Sequence, residues 1–141
     1  MRARFTSTVA MCLLAATAAP LSSQAAGGHV YWVGFFQALP GKAAAYNRVL
    51  TEVASPVLDE LVKRGQMVSH VQLARSGDGG DYTNVIILEF PDQAALDRYD
   101  ARLNDASLAV LHKSWADATA SFGEVRRLVR IELYAPAAAR Q

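Results

Sequence analysis

Cysteine is nearly missing from this sequence: the only one in 141 residues is Cys12. A lone thiol excludes an intramolecular disulfide framework and a multi-thiolate metal site. Charge of one sign is missing too. Fourteen Lys and Arg against 13 Asp and Glu leave a formal charge of +1, with no basic excess to neutralise a phosphate backbone, so nucleic acid is excluded as a partner. Long apolar runs are also absent. The stretch Phe5 to Ala19 carries no charge but falls short of the roughly 20 residues that a spanning helix needs, so no stable membrane anchor is expected. Neither a Gly-x-Ser-x-Gly elbow nor a Cys/His pair is present, which leaves hydrolase chemistry without support. What the chain does have is apolar mass: 52% hydrophobic residues, enough to bury the core of one globular domain.

The N-terminus has the pattern of a bacterial export signal. Arg2 and Arg4 precede the charge-free stretch, Pro20 breaks it, and the small residues Ser23 and Ala25 stand where a signal peptidase reads. Residues 1–25 are therefore expected to be removed, giving a periplasmic or secreted protein. Cys12, Arg2 and Arg4 leave with them. The remaining 12 Lys and Arg against 13 Asp and Glu make the exported chain slightly acidic and free of cysteine. Its stability must then come from packing and from association.

Residues 26–134 read as one domain, followed by an Ala-rich tail at 135–141. His29 to Gln37 is rich in aromatic and β-branched residues and apolar on both parities, which predicts a central strand. Lys42 to Arg64 repeats apolar residues at helical spacing, with a kink or restart expected at Ser55-Pro56, Ser55 acting as a cap. Residues 66–75 and 82–90 read as a hairpin across the glycine-rich segment Ser76 to Asp81. Pro91-Asp92 opens a second helical region, expected to break at Asn104-Asp105 and to carry Leu108, Leu111, Trp115 and Phe122 on one stripe. In the last strand, 125–134, alternation sets Val129, Ile131 and Leu133 against Leu128, Arg130, Glu132 and Tyr134.

The order β-α-β-β-α-β predicts an α+β, ferredoxin-like domain: a four-stranded antiparallel sheet with helices on one face. The other face stays open, with first-strand side chains, Val68, Val85, Ile87 and Leu128 assigned to it. A second copy of the chain is the expected cover, giving a homodimer through the open sheet face.

In this order, the aromatic strand Val30 to Phe36, the turn Leu39-Pro40-Gly41-Lys42 and the segment Val85 to Asp92 running into a helix resemble the dimeric α/β-barrel superfamily. The chain is similar in pattern to antibiotic-biosynthesis-monooxygenase-like and stress-responsive barrel proteins. The resemblance implies two ferredoxin-like protomers joined sheet to sheet, with ligands held between helices and sheet. It also implies a range of activities, among them cofactor-independent oxygenation and haem binding or degradation.

Candidate site residues follow from chemistry. The three histidines, His29, His70 and His112, show no metal-ligand spacing, so no metal site and no cofactor are expected. His112, Asn84 and His70 are the candidate catalytic groups. Tyr31, Trp32, Tyr82 and Trp115 are the candidate ligand-binding aromatics, drawn from a larger set that includes Phe35, Phe36 and Tyr99. A polar group of Arg130, Glu132, Glu89, Gln72 and His70 is expected to meet on the open face as a network that fixes dimer register. Three functions remain open at this point: a dimer that binds a small hydrophobic or aromatic molecule, an oxygenase or haem-binding enzyme, and a structural protein without a ligand.

Overall fold

The computed structural model describes residues 28–77 and 79–137. The expected leader at 1–25 and the last tail residues, 138–141, lie outside them. Strands β1 (Val30–Ala38), β2 (Ser69–Ala74), β3 (Asn84–Phe90) and β4 (Arg126–Tyr134) form one antiparallel sheet in the order β2-β3-β1-β4. Helices α1 (Ala43–Val49), α2 (Ser55–Lys63), α3 (Gln93–Asp97), α4 (Tyr99–Leu111) and α5 (Trp115–Ala118) pack on one face of it. The architecture is the expected α+β, ferredoxin-like one.

Cross-strand registry assigns each side chain to a face. Toward the helices point the rows His70–Leu88–Trp32–Leu133, Gln72–Ile86–Gly34–Ile131 and Ala74–Asn84–Phe36–Leu128. The opposite rows are Ser69–Glu89–Tyr31–Tyr134, Val71–Ile87–Val33–Glu132 and Leu73–Val85–Phe35–Arg130. Leu88 from the first set, and Phe90, which shares its parity and pairs with Val30, are almost fully buried against Tyr46, Leu58, Leu61 and Leu103 of the helices. Among the second set Val71 and Leu73, on the edge strand, are about half exposed, because no helix of the described residues packs on that side.

Three expectations are corrected. The Lys42 to Arg64 region does not restart at Ser55. The backbone stays helical through a wide turn, Leu50–Ala54, in which the Ser55 hydroxyl donates to the Leu50 carbonyl at 3.0 Å. Proline at 56 has no N–H to give and crowds the carbonyl four residues back, and the widened turn just upstream relieves both problems without a break. Nor does α4 stop at Asn104-Asp105. Asn104 accepts the backbone N–H of Trp115 at 3.1 Å, so its side chain pins the start of α5 instead of competing with its own helix. The interruption falls earlier, at Arg98, and the helix ends where His112 turns left-handed at φ 55°.

The third correction concerns β4. Its register against β1 shifts between Phe35 and Phe36, so Arg130 pairs with Phe35 while Leu128 pairs with Phe36, and Val129 is the extra residue. Leu128 therefore lies on the helix face with Ile131 and Leu133, not with Arg130. The same shift puts Arg126, opposite Ala38, on the helix face although it shares parity with Arg130.

Gly34 fills a specific need in β1. A Cβ there would run into the rings of Trp32 and Phe36, which lean over it from either side along the strand. Gly34→Val is expected to lower stability by about 1–3 kcal/mol through overpacking, read as an earlier urea midpoint with an unchanged slope.

Candidate active site

Between the sheet and the helices lies a cavity of about 410 Å³. Strand β1 supplies Trp32 and Phe36 to its wall, α4 supplies Tyr99 and Leu103, and Trp115 of α5 and Phe122 complete an aromatic lining. Each ring is placed by local structure. Ser114 caps α5 by accepting the Asp117 N–H at 3.1 Å, and Asn104 holds the Trp115 backbone, so the Trp115 indole meets Phe122 edge-on at 6.0 Å. Tyr99 opens α4 and packs edge-on against Phe90 at 5.3 Å. Burial raises the pKa of its phenol, keeping the proton on through neutral and alkaline conditions.

One cation faces this aromatic wall. The Arg126 guanidinium lies 3.9 Å from the ring centre of Phe36, 4.9 Å from that of Phe122 and 5.4 Å from that of Tyr46. It forms no ion pair among the described residues, and its Nη1 is buried without a hydrogen-bond partner, as is the Tyr46 hydroxyl. Burial lowers the Arg126 pKa, and the neighbouring Tyr46 and Tyr99 oxygens oppose that effect. Asp100 is the one carboxylate in the lining, and it is exposed at the rim.

The sequence candidates separate into three places. Trp32 and Trp115 line the cavity. Tyr31 and Tyr82 lie on the other side of the sheet: Tyr31 donates to Glu89 at 3.1 Å, and Tyr82 stands edge-on to Phe35 at 5.1 Å beside a smaller, polar hollow of about 190 Å³. None of the three candidate catalytic groups lines the larger cavity. His112 is exposed at the end of α4, Asn84 is buried and accepts from the Thr83 hydroxyl at 2.7 Å, and His70 pairs with Asp59 of α2 at 2.8 Å. Arg126 is the residue that sequence reading left out.

On the open face two separate polar clusters stand in place of the single expected network. Glu89 accepts from Ser69 at 2.6 Å and from Tyr31, and pairs with His29 at 2.7 Å. Those contacts, Ser69 first, hold its carboxyl below the usual range. Arg130 bonds Glu132 at 2.7 Å and Asp81 at 3.2 Å while covering the Phe35 ring at 3.8 Å. His70 and Gln72 do not join them. They share parity with Leu88 and Ile86 and so turn toward α2, where Gln72 bonds Ser55 at 3.1 Å.

Among the described residues there is no cluster of three or more His, Cys, Asp or Glu side chains that could hold a metal, and no helix long and apolar enough to cross a membrane. Haem, one of the groups that the resemblance implied, does not fit the cavity's donors. Among the described residues no histidine, cysteine or methionine lines it, and its one phenol, Tyr99, is packed edge-on against Phe90.

No family model and no curated protein sequence matches the chain. Solved structures do. The cofactor-independent oxygenase SnoaB from Streptomyces nogalater superposes with a TM-score of 0.52 at 18% identity, covering 78% of this chain and 94% of that one. HapK from Hahella chejuensis gives 0.55 at 15% identity, covering 79% and 96%. A dabb family protein with a ferredoxin-like fold from Mesorhizobium loti gives 0.50 at 21% identity, covering 78% and 98%. At such identities the likeness is one of fold. The chain has the ferredoxin-like fold that its resemblance to the dimeric α/β-barrel superfamily implied.

Proposed function

We propose that this chain is an exported homodimer that binds a small aromatic or hydrophobic molecule in the cavity between sheet and helices. The observation that carries the reading is the lining itself: a 410 Å³ space walled by Trp32, Phe36, Tyr99, Trp115 and Phe122, within the range of small-molecule pockets and shaped for flat apolar ligands. Dimerisation is supported by the half-exposed Val71 and Leu73, which continue through Ile87 and Val85 toward Val33 and Phe35, an apolar strip bordered by Glu132 and Arg130 that a second copy would bury. Export rests on the charge pattern of residues 1–25.

The molecule carries its own reporter. Its two tryptophans, Trp32 and Trp115, both line the cavity. Titration with neutral aromatic compounds is expected to quench or shift their emission saturably, and Trp115→Phe is expected to remove a large part of that change. A panel of such compounds that leaves both the emission and the melting temperature unmoved would sink the reading.

A second reading, cofactor-independent oxygenation, is favoured by the likeness to SnoaB. In this chain its polar groups would be Tyr99, Asp100 and Arg126, the titratable residues in the lining. Oxygen uptake in the presence of a bound, oxidisable phenol separates it from binding alone.

A further inference from the structure

We propose that the cavity is built for an aromatic carboxylate, its ring seated among Trp32, Trp115 and Phe122 and its carboxylate held by Arg126. The inference rests on the ligand-binding reading above and names the class of ligand.

It begins from an imbalance. A guanidinium placed in a largely apolar wall loses hydration that neighbouring charges ordinarily replace. Arg126 has no such replacement: every ion pair found among the described residues involves other cations, and its Nη1 has no acceptor. The rings of Phe36, Tyr46 and Phe122 orient the planar group by cation–π attraction, and the Tyr46 and Tyr99 oxygens favour its charged form, but none of these supplies a counter-charge. Asp100 is the lining's one acid, and it stays at the solvent-facing rim without pairing with Arg126.

The geometry of the fold reinforces this assignment. Arg126 reaches the cavity only because the extra residue in β4 turns it away from the face that Arg130 occupies. Arg130, on that other face, is satisfied twice over by Glu132 and Asp81. The two arginines thus differ in kind: one belongs to an internal network, the other waits on an incoming anion. A carboxylate matches the guanidinium fork through two parallel hydrogen bonds, stronger than neutral ones and strengthened by the low dielectric of the site.

The test compares naphthoate with naphthamide, which share ring and shape and differ in charge, by tryptophan fluorescence titration of the full exported chain. Wild type is expected to bind naphthoate about tenfold to hundredfold more tightly than naphthamide. Arg126→Met is expected to erase that preference while keeping naphthamide affinity within a few-fold, and Arg126→Lys to retain part of it, with far-ultraviolet circular dichroism reporting the fold of both. Equal binding of the two probes by wild type, or a preference that survives in Arg126→Met, overturns the assignment and leaves the cavity as a site for neutral ligands. If Arg126→Met fails to fold, the wild-type comparison and Arg126→Lys decide. Binding of neither probe overturns the ligand reading together with this one.

Discussion

Ile87→Asp is expected to sediment as a monomer at micromolar concentration where the unmodified chain sediments as a dimer. Ile87 sits in the middle row of the open sheet face, between Val71 and Val33, with Val85 and Phe35 in the next row. Joining two such faces would bury the aspartate of each copy among apolar side chains. An unpaired carboxylate there costs several kcal/mol, either as a desolvated charge or through the proton it must take up. Two copies per dimer double the effect, which exceeds what separates a micromolar from a millimolar association. The monomer itself should stay folded, because the substitution faces away from the core that Leu88 and Phe90 share with the helices. A wild-type monomer, or an Ile87→Asp dimer as tight as wild type, would remove this face as the interface.

Phe90→Ala is expected to cost about 3–5 kcal/mol of folding stability, a large share of what a domain of this size holds. Phe90 is 1% exposed, closes β3, and packs edge-on against Tyr99 at the head of α4. Truncation removes a ring from the joint between the hairpin and the second helical region, and the rigid sheet behind it offers little collapse. Denaturant unfolding should show the midpoint falling with little change in slope. Since Tyr99 also lines the cavity, the variant is expected to lose ligand affinity as well. A loss below about 1 kcal/mol would mean that neighbouring side chains refill the space.

Most of the architecture was legible in the residues. The aromatic strand, the glycine-rich hairpin turn and the helical spacing of the two covering segments specified element order, and the doubly apolar first strand placed β1 in the interior of the sheet. Of the seven aromatics expected to line a cavity, Trp32, Phe36, Tyr99 and Trp115 do so, while Tyr31, Phe35 and Tyr82 lie across the sheet, because both parities of β1 are aromatic and composition does not say which parity meets the helices. Where the reading failed, a local hydrogen bond or a register shift intervened. The Asn104 side chain serves a neighbouring segment, which periodicity does not report. Arg126 was missed because strict alternation puts it beside Arg130, and only the pairing with β1 reveals the residue that breaks the alternation. The histidines misled in a different way. His70 and His112 are chemically versatile, but one is tied to Asp59 and the other ends a helix, and neither reaches the cavity lining.

Strand β1 is a single backbone thick, yet Trp32 and Phe36 look into the cavity while Val33 and Phe35 look toward the open face. Gly34, between them, has its volume occupied by the neighbouring rings. A change made for one surface therefore displaces the peptide plane that the other surface hangs from. From Trp32 to Phe36 the strand has no idle position on which sequence drift can act freely, so ligand choice and self-association should diversify elsewhere: on the helices for the first, and on the outer strands β2 and β4 for the second.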